Sequence, residues 1–152
     1  MSLANTLHIL SVVIWVGGMF FAYMVLRPAA ASLLEPPQRL SLWRLVFKGF
    51  FPMVWAAIII ILISGLWMVF NQYGGFAGAA GYIHTMLALG LLMMALFMHV
   101  FFAPYKRLKK AVEEKNWPEG GKQLNIIRKI IGFNTLLGLI TIIVAAAGKS
   151  LL

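Results

Sequence analysis

Three histidines, His8, His84 and His99, stand out chemically from the 152-residue sequence around them. His8 lies in "LHILSVVIWVGGMFFAYMVLRP" (7–28), a run that is otherwise almost wholly apolar up to Arg27. An ionisable side chain at membrane depth is costly, and it usually has a partner. His84 opens a second apolar run, "YIHTMLALGLLMMALFMHVFF" (82–102). Two imidazoles on separate helices at one depth can face each other across a flat ligand. Opposed imidazoles of this kind hold heme iron in membrane cytochromes.

The neighbours of His8 fit that chemistry. Trp15 follows seven residues later, on nearly the same helix face. Gly17 and Gly18 remove side chains where a macrocycle or another helix could approach. The cofactor-binding set is therefore His8, His84, Trp15 and Gly18, with the two imidazoles as axial ligands. Asn71, Gln72, Tyr82 and Lys149 are candidates for the propionate rim. Each of these residues also has a plainer reading. A membrane histidine can be a hydrogen-bonded packing residue, and glycines, Asn134 and "AAAG" (145–148) can serve helix or dimer contacts. His99 lies 15 residues past His84, about 22 Å along a helix, so it cannot share their iron. An interfacial role comes first for it, and metal ligation second. A different chemistry is open to the nine methionines, four of them (Met86, Met93, Met94, Met98) between His84 and His99. Thioethers and imidazoles are soft ligands for Cu(I), although these methionines spread around the helix.

The elements that must position these groups follow from composition. Hydrophobic residues make up 62% of the chain, charged residues 11%, and mean hydropathy is +0.91. A soluble domain has about 25% charged residues. The expectation is an all-α integral membrane protein: one domain over 1–152, a four-transmembrane-helix bundle with helices near 4–26, 49–70, 82–103 and 126–147. The runs match the roughly 20 residues a membrane-crossing helix needs. "NQYGGFAGAAG" (71–81) and "NWPEGG" (116–121) read as breaks, and "YKRLKKAVEEK" (105–115) as a polar extension of the third helix with Lys109–Glu113 and Lys110–Glu114 pairs. The amino end reads as a retained helix rather than a signal peptide, since "MSLANT" carries no basic residue.

Of the 13 basic residues, all but Lys149 fall in the first and third loops. The positive-inside rule puts those loops in the cytoplasm and both termini in the periplasm. The net charge of +9 is explained by topology and anionic lipid, not by nucleic acid. With no cysteine, disulfides, thiolate metal sites and C-x-x-C-H heme attachment are excluded.

Taken in order, these segments resemble the copper resistance protein D (CopD) family. "LHILSVVIWVGGMFFAYMVLRPA" is similar to its opening helix, "LISGLWM" (62–68) to the end of its second, and "IIRKIIGFNTLLGLITIIVAAAG" to its fourth. The resemblance implies copper movement across the bacterial inner membrane. The layout is also similar to the HemJ family of heme-binding membrane proteins, which implies heme b on His8 and protoporphyrinogen oxidation. The HemJ His-x-Lys pattern is broken here by Met86, which argues against that oxidation. The leading expectation is a heme b electron-transfer protein with bis-His ligation. It would serve a quinone or a periplasmic redox partner and form a homodimer. Copper transport and HemJ-like oxidation are the alternatives.

Overall fold

The computed structural model describes residues 2–151, with side chains through residue 148. Among them every regular element is helical, and four spans are long and apolar enough to cross a membrane: Leu3–Leu33, Pro36–Gln72, Gly81–Glu113 and Trp117–Gly148. The first span comprises α1 (Leu3–Phe21), a π-helical turn (Ala22–Leu26) and α2 (Arg27–Leu33). Then come α3 (Pro36–Gln72), α4 (Gly81–Phe102), α5 (Pro104–Glu113) and α6 (Trp117–Leu151).

Local chemistry sets the boundaries. Ser2 caps α1 by accepting the Asn5 N–H at 3.1 Å. α3 opens on Pro36 and Pro37, where a missing N–H costs nothing. The helix expected near 49–70 thus begins 13 residues earlier, at Pro36. Its 37 residues extend about 55 Å, well beyond the roughly 30 Å hydrocarbon layer. The surplus carries Arg39, Arg44 and Lys48, so it reads as a loop by hydropathy although it is helical. α6 likewise starts at Trp117, where Asn116 Oδ1 accepts the Glu119 N–H at 3.3 Å.

One expected extension is instead a break. Ala103 leaves helical geometry (φ −116°, ψ −87°) and Pro104 begins a new helix. Proline disfavours α geometry in the residue before it, which explains the bend there. α5 packs on α6. Glu113 pairs with Arg44 of α3 at 2.8 Å rather than with Lys109, whose ammonium lies 4.7 Å from the Tyr105 ring centre. The 71–81 loop turns at Gly74 and Gly75, both at positive φ (71° and 107°).

α1 packs chiefly on α3, and α4 on α6. In lipid there is little hydrophobic drive between helices, so close backbone approach and shape carry the packing. At Gly18 a Cβ would collide with the Phe50 ring of α3. At Gly138 it would stand 2.8 Å from a Val16 methyl of α1. Gly148, the last residue of "AAAG", is covered by Tyr82 of the same chain. Between α3 and α4 runs an aromatic column. Phe47 stacks on Phe51 (4.8 Å, 11°), and Phe51 meets Phe97 edge-on (5.2 Å, 84°). Such pairs each add about 0.5–1.5 kcal/mol beyond burial. Large apolar side chains such as Ile14, Phe21, Ile63 and Ile143 point outward, as lipid-facing residues do.

The contacts sort the bundle into two ends. Ser2, His8, Ser64, Gln72 and Tyr82 gather at one, through Gln72–Ser2 (3.4 Å), His8–Ser64 (3.0 Å) and Tyr82–Gly148. Arg44, Glu113, Leu40 and Gly120 gather at the other, the basic end.

Candidate functional site

His8 stands about one turn into α1, half-buried, with its ring against α3. Gly65 makes this possible: a Cβ there would lie only 3.3 Å from His8 Cε1. His8 Nδ1 is 3.0 Å from Ser64 Oγ. The same hydroxyl donates to the Ile60 carbonyl at 2.6 Å. A serine has one proton to give, so towards His8 its oxygen accepts. This arrangement suits the tautomer with the proton on Nδ1 and the lone pair on Nε2. A hydrogen bond that fixes one imidazole nitrogen and frees the other is the usual preparation of a metal-ligating histidine.

His84 lies at the same end, in the first turn of α4, and is exposed. Its ring neighbours Phe76 of the 71–81 loop, with centroids 6.4 Å apart. His8 and His84 are therefore oriented by different elements, α3 in one case and the loop in the other. His99 is exposed near the opposite end of α4, where its carbonyl accepts the Ala103 N–H at 3.0 Å. Trp15 is 3% exposed and packed in the core. Gly18 receives the Phe50 ring. Of the rim candidates, Asn71 donates to its own helix at Trp67 O (2.8 Å), Gln72 to Ser2, and Tyr82 is buried. The Lys149 side chain lies outside the described residues.

A heme between His8 and His84 would need a ring-sized cleft beside both. The two best-formed cavities lie elsewhere. One, of about 290 Å³, sits at the basic end among Arg27, Arg39 and Arg128. The other, about 20 Å³, is bordered by Trp15, Met19, Phe51 and Asn134. Neither is lined by a histidine, so the geometry gives no support to the expected bis-His heme b centre. Nor do three or more His, Cys, Asp or Glu side chains gather among the described residues. The histidines stand singly, and imidazoles and thioethers are the soft donors that the described residues offer.

Two features of the site were not singled out from sequence. Ser64 resembles any serine in an apolar helix, because such serines bond their own i−4 carbonyl, as this one also does. The arginine-lined cavity joins residues far apart in the chain. Asn134 is buried, with Nδ2 donating to the Met93 carbonyl at 3.1 Å.

Comparison with curated proteins gives no match, and comparison with solved structures gives none. The family model for copper resistance protein D matches residues 44–147. That stretch covers about two thirds of the chain, from the basic first part of α3 through most of α6, and includes Ser64, Gly65, His84 and His99. The chain is a multi-pass helical protein that belongs to the copper resistance protein D family.

Proposed function

We propose that the protein handles copper within the bilayer, receiving Cu(I) as cargo at the end that carries His8. One observation carries this reading: Ser64 Oγ lies 3.0 Å from His8 Nδ1 while it donates to the Ile60 carbonyl, an arrangement that suits the tautomer with its proton on Nδ1 and its lone pair on Nε2. Family membership supplies the metal. His84, at the same end, is the candidate second ligand. Three methionines, Met19, Met93 and Met94, are buried in the helical interior and offer thioethers to a soft ion moving inward. The basic end faces the cytoplasm by the charge rule, so His8 and both termini face the opposite side of a bacterial inner membrane.

The test is Cu(I) titration of the detergent-purified protein against a chromogenic chelator. His8→Ala should weaken binding by about tenfold or more, at least as much as loss of a supporting outer-shell bond costs. His84→Ala should weaken it too, and His99→Ala should leave it unchanged. Equal affinity in the wild type and His8→Ala would overturn the proposal. A Soret band in protein expressed with ample heme, lost in both His8→Ala and His84→Ala, would reassign the site to heme.

A further inference from the structure

The larger cavity is independent of the copper reading and has a chemistry of its own. Its lining includes three arginines, Arg27 at the start of α2, Arg39 on α3 and Arg128 on α6, and no acidic residue. The ion pair found among the described residues, Arg44–Glu113, lies outside it. Neutral groups hold each of the three arginines. Arg128 Nε and Nη2 share Asn125 Oδ1 at 3.1 and 2.7 Å. Arg39 Nη1 has a long contact to the Leu34 carbonyl, 3.5 Å. Arg27 Nε donates to the Tyr23 carbonyl at 3.2 Å.

Arg27 is placed by the π-helical turn. There its main-chain N–H reaches back five residues, to Ala22 O. The Tyr23 carbonyl would next take the N–H of residue 28, but that residue is proline and has none. The Arg27 side chain supplies the donor instead, and its guanidinium lies over the Tyr23 ring at 4.6 Å. Tyr23 in turn rests on Gly132 of α6, where a Cβ would come within 2.7 Å of the ring. Arg128 is one turn before Gly132, so it is on the same face of α6 as the Tyr23–Arg27 stack. π-Turns are enriched at functional sites, and here the widened turn aims a cation.

Apart from Asn125, the rest of the wall is mainly apolar and aromatic, with Trp43 and Trp117 among its members. Guanidinium forks match phosphate geometry. Tryptophans favour the headgroup level of a membrane. A free anion would have no use for the apolar wall, whereas an amphiphile would use both parts. We infer that this cavity binds the phosphate headgroup of an anionic phospholipid, with the glycerol and upper acyl chain along its apolar wall.

Native mass spectrometry of the whole chain tests this. The probes are phosphatidylglycerol or phosphatidylcholine of matched acyl chains, in mixed micelles. One phosphatidylglycerol should be retained per chain, with about tenfold preference over phosphatidylcholine, on the order of one charge-assisted hydrogen bond. Arg39→Gln with Arg128→Gln should remove the preference. Arg39→Gln alone, at a half-exposed residue with one long contact, should reduce it without affecting folding. Lys106→Gln with Lys110→Gln, exposed on α5 and outside the cavity, should leave it intact. Excess inorganic phosphate should not displace the lipid. Equal retention of the two lipids, or a preference unchanged in both arginine variants, would overturn the inference. Displacement by inorganic phosphate would also overturn it, by reassigning the cavity to a soluble anion.

Discussion

Asn134 on α6 donates its carboxamide to the main-chain carbonyl of Met93 on α4, 3.1 Å away and fully inside the bundle. The bond ties α6 to α4 beside a weaker contact from the Thr141 hydroxyl to Met93 Sδ, 4.0 Å long. It is only half a satisfied amide, because Asn134 Oδ1 is buried without a hydrogen-bond partner. Interhelical bonds in membranes average about 0.6 kcal/mol, and removing an orphaned polar atom offsets part of their loss. Asn134→Leu should therefore shift stability by no more than about 1 kcal/mol. Asn134→Asp, which puts an unpaired carboxylate in the same place, should cost several times as much. Detergent-to-SDS unfolding followed by tryptophan fluorescence distinguishes the two. A large loss in Asn134→Leu would show that the amide organises more than this one bond.

Neighbouring glycines should behave differently from one another. A Cβ at Gly138 would stand 2.8 Å from Val16 Cγ2 and 3.2 Å from Met93 Cε, all at well-packed positions. Gly138→Ala should separate α1 from α6 and cost about 1–3 kcal/mol, the usual effect of overpacking. Gly17 has nothing within 4 Å of its Cβ position. Gly17→Ala should be neutral or stabilising by up to about 1 kcal/mol, because alanine is the better helix former. The same SDS titration reads both.

A contrast between Gly17 and Gly18 shows where sequence reasoning stops. In "WVGG" the two glycines look equivalent, yet only Gly18 faces a ring, that of Phe50. The membrane-crossing portions were legible because lipid demands long, uncharged helical runs. The helical extensions were not. Pro36, Pro37 and the basic residues of 36–48 look like a loop, although prolines fit a first turn and cations tolerate a solvated helix. His8 was legible as a chemical residue because an imidazole is rare in such a run. Its partner Ser64 was not, since nothing local marks a serine 56 residues away. Arg27, Arg39 and Arg128 read only as topology signals, because their convergence depends on how α2, α3 and α6 come together.

Ser64 gives the copper reading a sharper test than His8 does. Removing its hydroxyl leaves the imidazole in place but frees the tautomer and the ring orientation. Loss of such a supporting bond typically costs about 10–100-fold in metal affinity. Ser64→Ala should therefore weaken Cu(I) binding within that range, and Ser64→Thr, which keeps a hydroxyl, should recover most of it. Chelator competition measures all three proteins. If Ser64→Ala binds as tightly as the wild type, the hydroxyl does not set the state of His8.

α5 offers a last comparison, between a visible ion pair and an inconspicuous leucine. Arg44 Nη2 and Glu113 Oε1 are 2.8 Å apart, but their side chains are 31% and 63% exposed. Water and salt screen such a pair, and exposed pairs contribute about 0–1 kcal/mol. Leu108, one turn after Pro104, is 0% exposed and belongs to the core cluster that includes Tyr105 and Ile127. Truncating a buried leucine removes its packing and leaves a cavity, at about 2–5 kcal/mol. Glu113→Gln should therefore leave α5 docked, with protease resistance of the 105–116 segment near that of the wild type. Leu108→Ala should release it, so that trypsin cuts at Lys109, Lys110 and Lys115 well before the membrane-embedded helices unfold. The reverse order of sensitivity would mean that the ion pair, and not the leucine, anchors this helix to the bundle.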